Sequence, residues 1–409
     1  MMGERKLPAW ALAGLGATQI IGYGTLYYAF SILVPEIAED IGKSQQWVFG
    51  AFSVALLVGS LAAPLSGYLA DRIGAGRLMA AGSLLASATL VLMAVSTGPI
   101  TFAVALALTE IVSVAVLYAT AFTAIVQTGG QNAQKSIVHL TLIAGFASSV
   151  FWPLTSWLHG FLSWREVYLL FAALNLFICL PVHLALARLT TTAVSVSKTS
   201  TAPISEHRPI ANGTLLFSLM LLGFAIEGYA LSAILVHMVP LTQALGFGAA
   251  GLLVASLFGP AQVASRLINL LFGRELSQKW LAVIATGLLP IGLTILLMTT
   301  PWVPGAVMFA ICFGLGSGLT SIVGGTLPLE LFGSKGYGSR LGWATSAKQM
   351  MSAIAPLAMS MSMAGFGVVA SIWVTVAVGL AGVLAFLAIV SLERRPVVLP
   401  QTVNVRRIQ

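Results

Sequence analysis

Apolar residues run along this chain in long stretches, and polar residues gather in the short gaps between them. The stretches fall near 9–35, 46–71, 77–97, 100–128, 136–160 and 166–188, then near 213–240, 248–273, 280–298, 303–330, 339–364 and 367–391. A helix rises about 1.5 Å per residue, so about twenty residues cross the ~30 Å hydrocarbon core of a bilayer. A membrane barrel would instead alternate polar and apolar positions over roughly ten residues. The pattern therefore predicts an all-α membrane protein with twelve transmembrane helices.

The gap from Thr190 to Ala211 is the long polar break, and it sits at the midpoint. It is rich in Ser, Thr and Pro and carries Lys198, Glu206 and Arg208. Such composition predicts a flexible linker. The expected domains are a six-helix bundle over 1–188, a cytoplasmic linker over 189–211, and a second six-helix bundle over 212–409 ending in a short cytoplasmic tail. A weak internal repeat agrees. Gly22-Tyr23 followed by Val34-Pro35 is echoed by Gly228-Tyr229 followed by Val239-Pro240, and Ala63-Pro64 by Gly259-Pro260. Parallel six-span repeats are a transporter architecture with its site between the halves near the midplane.

Composition narrows the function. Of the residues, 58% are hydrophobic and 8% charged, against about 25% charged in soluble domains. Lipid must be the solvent for most of the surface. Lys and Arg then set the orientation: with the N-terminus inside, sixteen face inward and only Lys43 and Arg165 lie in outer loops. That asymmetry predicts both termini in the cytoplasm and a plasma-membrane protein, an inner-membrane one if bacterial. It accounts for the +8 net charge by attraction to anionic lipid, without nucleic acid. The first apolar run is too long for a signal-peptide core, so no cleaved leader is expected. Cys179 and Cys312 lie inside apolar runs and read as small core residues. No metal-ligand spacing, phosphate loop or nucleophile constellation is present, so no metal, no cofactor and no enzyme activity are expected. No large extramembrane domain suggests a receptor.

The loop after the second span reads Gly67-Tyr68-Leu69-Ala70-Asp71-Arg72-Ile73-Gly74-Ala75-Gly76-Arg77. It resembles the G-x-L-a-D-R-x-G-r-[KR] loop of the major facilitator superfamily, at the matching place between spans two and three. Gly74 and Gly76 would permit a tight turn, Asp71 could meet the positive N-terminus of another helix, and Arg72 and Arg77 would hold the loop inside. The resemblance implies that this loop latches the two halves in one state of a transport cycle, that residues 9 to 391 form the twelve-span fold, and that spans 1, 2, 4, 5, 7, 8, 10 and 11 surround a cavity. The second-half counterpart near Gly273-Arg274-Glu275 lacks the Asp, so one-sided latching is expected.

Four charges fall inside spans, all of them cavity spans by that resemblance: Glu110, Glu227, Arg266 and Lys348. A charge at the bilayer centre costs at least about 2.5–3.5 kcal/mol, which makes each a functional candidate. Counting from the inner end puts Lys348 about 15 Å and Arg266 about 10 Å deep. Two cations in related helices of one half repel when empty and invite an anion held by charge-assisted hydrogen bonds. Glu110, about ten residues into span four, would hold a proton unless a cation pairs with it. Glu227, read as lying in the outer half, could relay protons or gate, with His237 nearer the mouth and His139 a weaker candidate. Packing alone would also explain either glutamate.

A cation in span eight and a lysine in span eleven is similar to the oxalate/formate antiporter and monocarboxylate porter branch. That resemblance rests on Arg266 in Gly259-Pro260-Ala261-Gln262-Val263-Ala264-Ser265-Arg266, on Lys348 and Gln349 in Ala344-Thr345-Ser346-Ala347-Lys348-Gln349, and on the run Gly22-Tyr23-Gly24-Thr25-Leu26-Tyr27-Tyr28. It implies carboxylate binding by Arg266 and Lys348. The porters' acidic-glycine signature before span one is absent. Tyr23 and Tyr27 share a helix face and are candidates to line the cavity, while Tyr28 is expected to turn partly away. Trp152-Pro153 and Pro356 are expected to kink their helices, and Gly314, Gly316 and Gly318 to allow close approach. The expected function is secondary transport of a small organic anion, by that resemblance a carboxylate, with protons or a counter-anion as coupling partner and a monomer as the working unit. The alternative is drug or toxic-compound efflux by proton antiport, which favours acidic, aromatic cavities over cationic ones.

Overall fold

The computed structural model describes residues 7–199, 212–248 and 250–393, and every regular element among them is helical. Ten helical stretches are long and apolar enough to cross a membrane. One of them, Pro99–His159, has 61 residues and turns at Gly130 (φ +52°), which divides it into the expected fourth and fifth spans. The expected eleventh, Tyr337–Phe366, has 30 residues and is more polar than those ten. The architecture is thus consistent with twelve crossing helices in two sets of six. Residues 200–211 of the expected linker and the basic residues of both termini lie outside the described residues. The sixth helix continues to Thr199, beyond the boundary that hydropathy suggested, because the polar side chains past residue 188 do not break a helix.

The first half is interrupted where the second is not. The first span runs as an α-helix over Ala9–Tyr23, a π-helical turn over Gly24–Tyr28, and an α-helix over Phe30–Asp40. The fourth breaks at Leu117, which is extended (φ −86°, ψ −168°), between Pro99–Val116 and Tyr118–Gly129. The fifth breaks between Ala133–Ala144 and Ala147–His159. The sixth carries a second π turn, Asn175–Cys179. By contrast Gly213–Ala244, Ala250–Phe272, Gln278–Thr299, Val303–Phe332, Tyr337–Phe366 and Val368–Glu393 are each one uninterrupted α-helix.

In lipid, backbone groups released by an interruption need partners. Side chains from neighbouring spans supply them. The Gln19 amide donates to the Val116 carbonyl at 2.8 Å, and Ser66 and Thr120 hydroxyls donate to the Val114 carbonyl at 3.2 and 2.9 Å. Asn175 donates to Thr25 Oγ1 at 3.0 Å, while Thr25 donates to the Ile21 carbonyl at 2.8 Å, so one hydrogen-bonded chain ties the two π turns together.

The halves fasten to each other at the end carrying the Asp71 loop. Spans two and eleven cross through Ala63, Gly67, Gly338 and Gly342, two small residues four apart on each helix. A Cβ on Gly67 would strike the Gly338 carbonyl, and one on Gly342 would lie 3.0 Å from Pro64 Cα. Tyr337 and Leu341 of span eleven join the first half's apolar core, and Val138 of span five joins the second half's. The opposite ends of spans one and five, Phe30–Asp40 and Ala147–His159, pack on elements of their own half.

Candidate functional site

A cavity of about 380 Å³ lies between the halves, with spans one, two and four on one side and seven, ten and eleven on the other. Its first-half wall is aromatic: Tyr23, Tyr27, Tyr28, Tyr118 and Phe122 line it, beside Glu110. Its second-half wall is polar, with Lys348, Gln349, Ser232, Ser352, Thr320 and Ser321.

The π turn explains the tyrosines. In an α-helix Tyr28 would rotate away from Tyr23, as the sequence reading expected. A π turn closes over five residues, and the Ala29 N–H donates to the Gly24 carbonyl at 3.0 Å. Residues five apart then share a side, and the Tyr23 and Tyr28 rings sit 6.3 Å apart at their centres. Tyr28 therefore lines the cavity. Gly24 lets the first span approach the fifth, since a Cβ there would enter the Phe151 ring.

Lys348 lies in the second-half wall, where its ammonium donates to Glu227 Oε2 at 3.2 Å. Gly228 makes the pair possible, because any side chain there would collide with the Lys348 carbonyl of span eleven. Glu227 is 1% exposed and Lys348 30%, so the carboxylate is the buried member and the ammonium the one reaching the cavity. The pairing sets Glu227 level with Lys348, where the backbones of the two spans already meet at Gly228.

Arg266 lies behind the wall, not in it. It is 7% exposed, and its Nε donates to Ser321 Oγ at 3.1 Å. Its guanidinium packs against Gly145 at the break in span five, where a Cβ would collide with it. Gly314 and Gly318 seat span ten against span eight, as expected, while Gly316 packs on span nine. Among the described residues Arg266 has no carboxylate within ion-pair distance.

Glu110 lines the cavity, and among the described residues it has no cationic partner. Its Oε1 is buried with no hydrogen bond, and Ser113 lies 3.5 Å from Oε2. Gln349 also lines the cavity, and its Oε1 is buried without a hydrogen-bond partner. His139 and His237 do not line the cavity; each ring bonds a carbonyl of its own helix, at 2.7 and 2.9 Å.

At the loop between spans two and three, Asp71 accepts from the N–H groups of Gly338 and Ser339 at 2.9 and 2.7 Å and from the Ser339 hydroxyl at 2.8 Å. These are the free donors at the start of span eleven, where the helix dipole favours an anion. Gly74 makes the expected turn, with φ +95°. Gly76 does not: it is helical and serves close packing on Ala187 of span six. Arg72 donates to the Tyr68 hydroxyl at 3.0 Å, and Arg77 is exposed.

The family model described as Major Facilitator Superfamily matches residues 16–356. The chain belongs to the Major Facilitator Superfamily. Members of this superfamily are transporters that move small solutes, not enzymes. No curated protein sequence matches the chain. Among solved structures, the human organic anion transporter MFSD10 (TETRAN) is similar at 15% identity and a TM-score of 0.70, covering 94% of this chain and 100% of that one. The proton:xylose symporter XylE bound to 6-bromo-6-deoxy-D-glucose matches at 15% identity and 0.69, covering 95% and 97%. FucP in the outward conformation matches at 12% and 0.65, covering 92% and 98%. At such identities the likeness is one of fold.

Sequence reasoning missed Tyr118 and Ser321. Tyr118 had a usable signal: tyrosines concentrate at membrane interfaces, and one in the middle of span four stands out. Ser321 had none, because its importance comes from the arginine that leans on it.

Proposed function

We propose that this facilitator carries a small organic anion, with a carboxylate as the recognised group, by alternating access. One observation carries the reading: a buried guanidinium, Arg266, stands one hydroxyl away from the cavity with no carboxylate to neutralise it. A buried charge without a partner is expensive, and an anion drawn to Ser321 would supply one. The resemblance to the oxalate/formate antiporter and monocarboxylate porter branch supports the same reading.

In this mechanism Lys348 and the Ser321 hydroxyl hold the carboxylate, Arg266 acts on it through Ser321 from behind the wall, and Tyr23, Tyr27 and Gln349 orient the rest of the solute. A substrate that takes over Lys348 strands Glu227, which then needs a proton. Glu227 and the unpaired Glu110 are thus the proposed proton carriers if transport is proton symport, and idle if it is anion exchange. The loop of Gly67, Asp71, Arg72, Gly74 and Arg77 latches one end of the cavity. With the basic residues cytoplasmic, that end faces inward and the arrangement described here is outward-facing, in a plasma membrane and as a monomer.

Counterflow in proteoliposomes with a panel of mono- and dicarboxylates tests this. Arg266→Gln and Lys348→Gln are expected to lose uptake of every substrate that the wild type carries. Wild-type uptake by both variants would remove the anion site. Glu110→Gln is expected to lose pH-gradient-driven uptake while keeping exchange; unchanged pH dependence in both Glu110→Gln and Glu227→Gln would take them out of the proton path.

A further inference from the structure

We propose that the carboxylate this cavity accepts is borne by an aromatic ring that lies on the tyrosine wall. The inference rests on the anion reading above and goes beyond it to the body of the substrate. The aromatic side chains form one continuous strip. Phe122 stacks on Tyr118 with centres 5.0 Å apart and planes 14° from parallel. Tyr118 meets Tyr23 at 4.8 Å, Tyr23 meets Tyr28 at 6.3 Å, and Tyr28 meets Tyr27 edge-on at 5.4 Å.

Three features separate this strip from ordinary core packing. All five side chains line the cavity. Tyr27 is 43% exposed and Tyr23, Tyr28 and Tyr118 are half-buried, so these rings turn surface to the cavity and not to the core. The strip also faces the positive charge, since Ser321, to which Arg266 donates at 3.1 Å, lines the same cavity. A ring on the strip would therefore present its carboxylate to Ser321, Arg266 and Lys348 across the cleft.

Size agrees. At about 380 Å³ the cavity has room for on the order of ten waters. A one- or two-carbon acid would leave most of it wet and the aromatic wall unused. A monocyclic aromatic acid fits with room for a few waters, its charge at the polar wall and its ring at the apolar one.

Binding of four probes to the full-length protein in lipid nanodiscs, measured calorimetrically, tests the proposal. Benzoate is expected to bind at least about ten-fold more tightly than acetate, from burial of the ring. It should also bind about three-fold more tightly than cyclohexanecarboxylate, from ring-on-ring geometry. Tyr118→Leu and Tyr28→Leu should erase the second preference, whereas Tyr118→Phe and Tyr28→Phe should keep it. Acetate or cyclohexanecarboxylate binding the wild type as tightly as benzoate would overturn this proposal alone. So would leucine variants that keep the wild-type Tm and the preference. Benzamide binding as tightly as benzoate would overturn the anion reading and this proposal with it.

Discussion

The two walls of the cavity are built in opposite ways. The first half bends its backbone, with two π turns and two broken helices, and presents rings. The second keeps its helices whole and presents charges. The difference follows from what each wall must hold. Rings must be aimed as flat surfaces, and a π turn re-aims a side chain that an α-helix would turn away, as Tyr28 shows. Charges need fixed partners more than re-aimed backbones, and uninterrupted helices brought close by Gly228, Gly314 and Gly318 set Glu227 beside Lys348 and Arg266 beside Ser321.

The comparison breaks first at the buried pair. Lys348→Met leaves Glu227 unpaired at 1% exposure, and breaking a buried pair costs about 3–5 kcal/mol. The Tm should fall steeply, and Lys348→Met/Glu227→Gln should recover most of the loss. Equal Tm values for the single and double variants would mean that the pair does not organise the second wall.

The next effect contrasts two glutamines. Gln19→Leu orphans the Val116 carbonyl at the break in span four, a loss of about 1–3 kcal/mol. Gln262 instead donates to Ser317 Oγ at 2.6 Å between intact helices, so Gln262→Leu should cost only about 0.5–1.5 kcal/mol. Thermal denaturation of both in one detergent sharpens the comparison, and the reverse order would contradict it.

At the latch, Asp71→Asn keeps a carbonyl acceptor but gives up the charge facing the start of span eleven. A shift of about 1–2 kcal/mol should open this end in a larger share of molecules. Distance measurements between spin labels on spans two and eleven would read it, and an unchanged distribution would leave the latch without an electrostatic role. The smallest effect belongs to Asn175→Ala, which unties the two π turns for about 1 kcal/mol.

Much of this was legible in the chain itself. Long apolar runs have one solution in lipid, so the helices and nearly all their ends followed from hydropathy. The Asp71 loop also followed, because its turn needs Gly74 and its charge needs a helix start. The interruptions were not legible. Hydropathy reports how apolar a segment is and not how its backbone is bonded, so Gly24–Tyr28 and Leu117 looked like plain helix. The Lys348–Glu227 pair, 121 residues apart in sequence, is set by helix packing. Arg266 was recognised as important but placed in the cleft, when packing against span five sets it one layer behind.

The division of labour between the walls is tested most directly by calorimetric binding of three solutes, benzoate, benzamide and acetate, to Arg266→Gln and Tyr118→Leu in lipid nanodiscs. The account predicts that Arg266→Gln loses the preference for benzoate over benzamide and keeps that for benzoate over acetate, while Tyr118→Leu does the reverse. Loss of both preferences together in each variant would show one undivided site and contradict it.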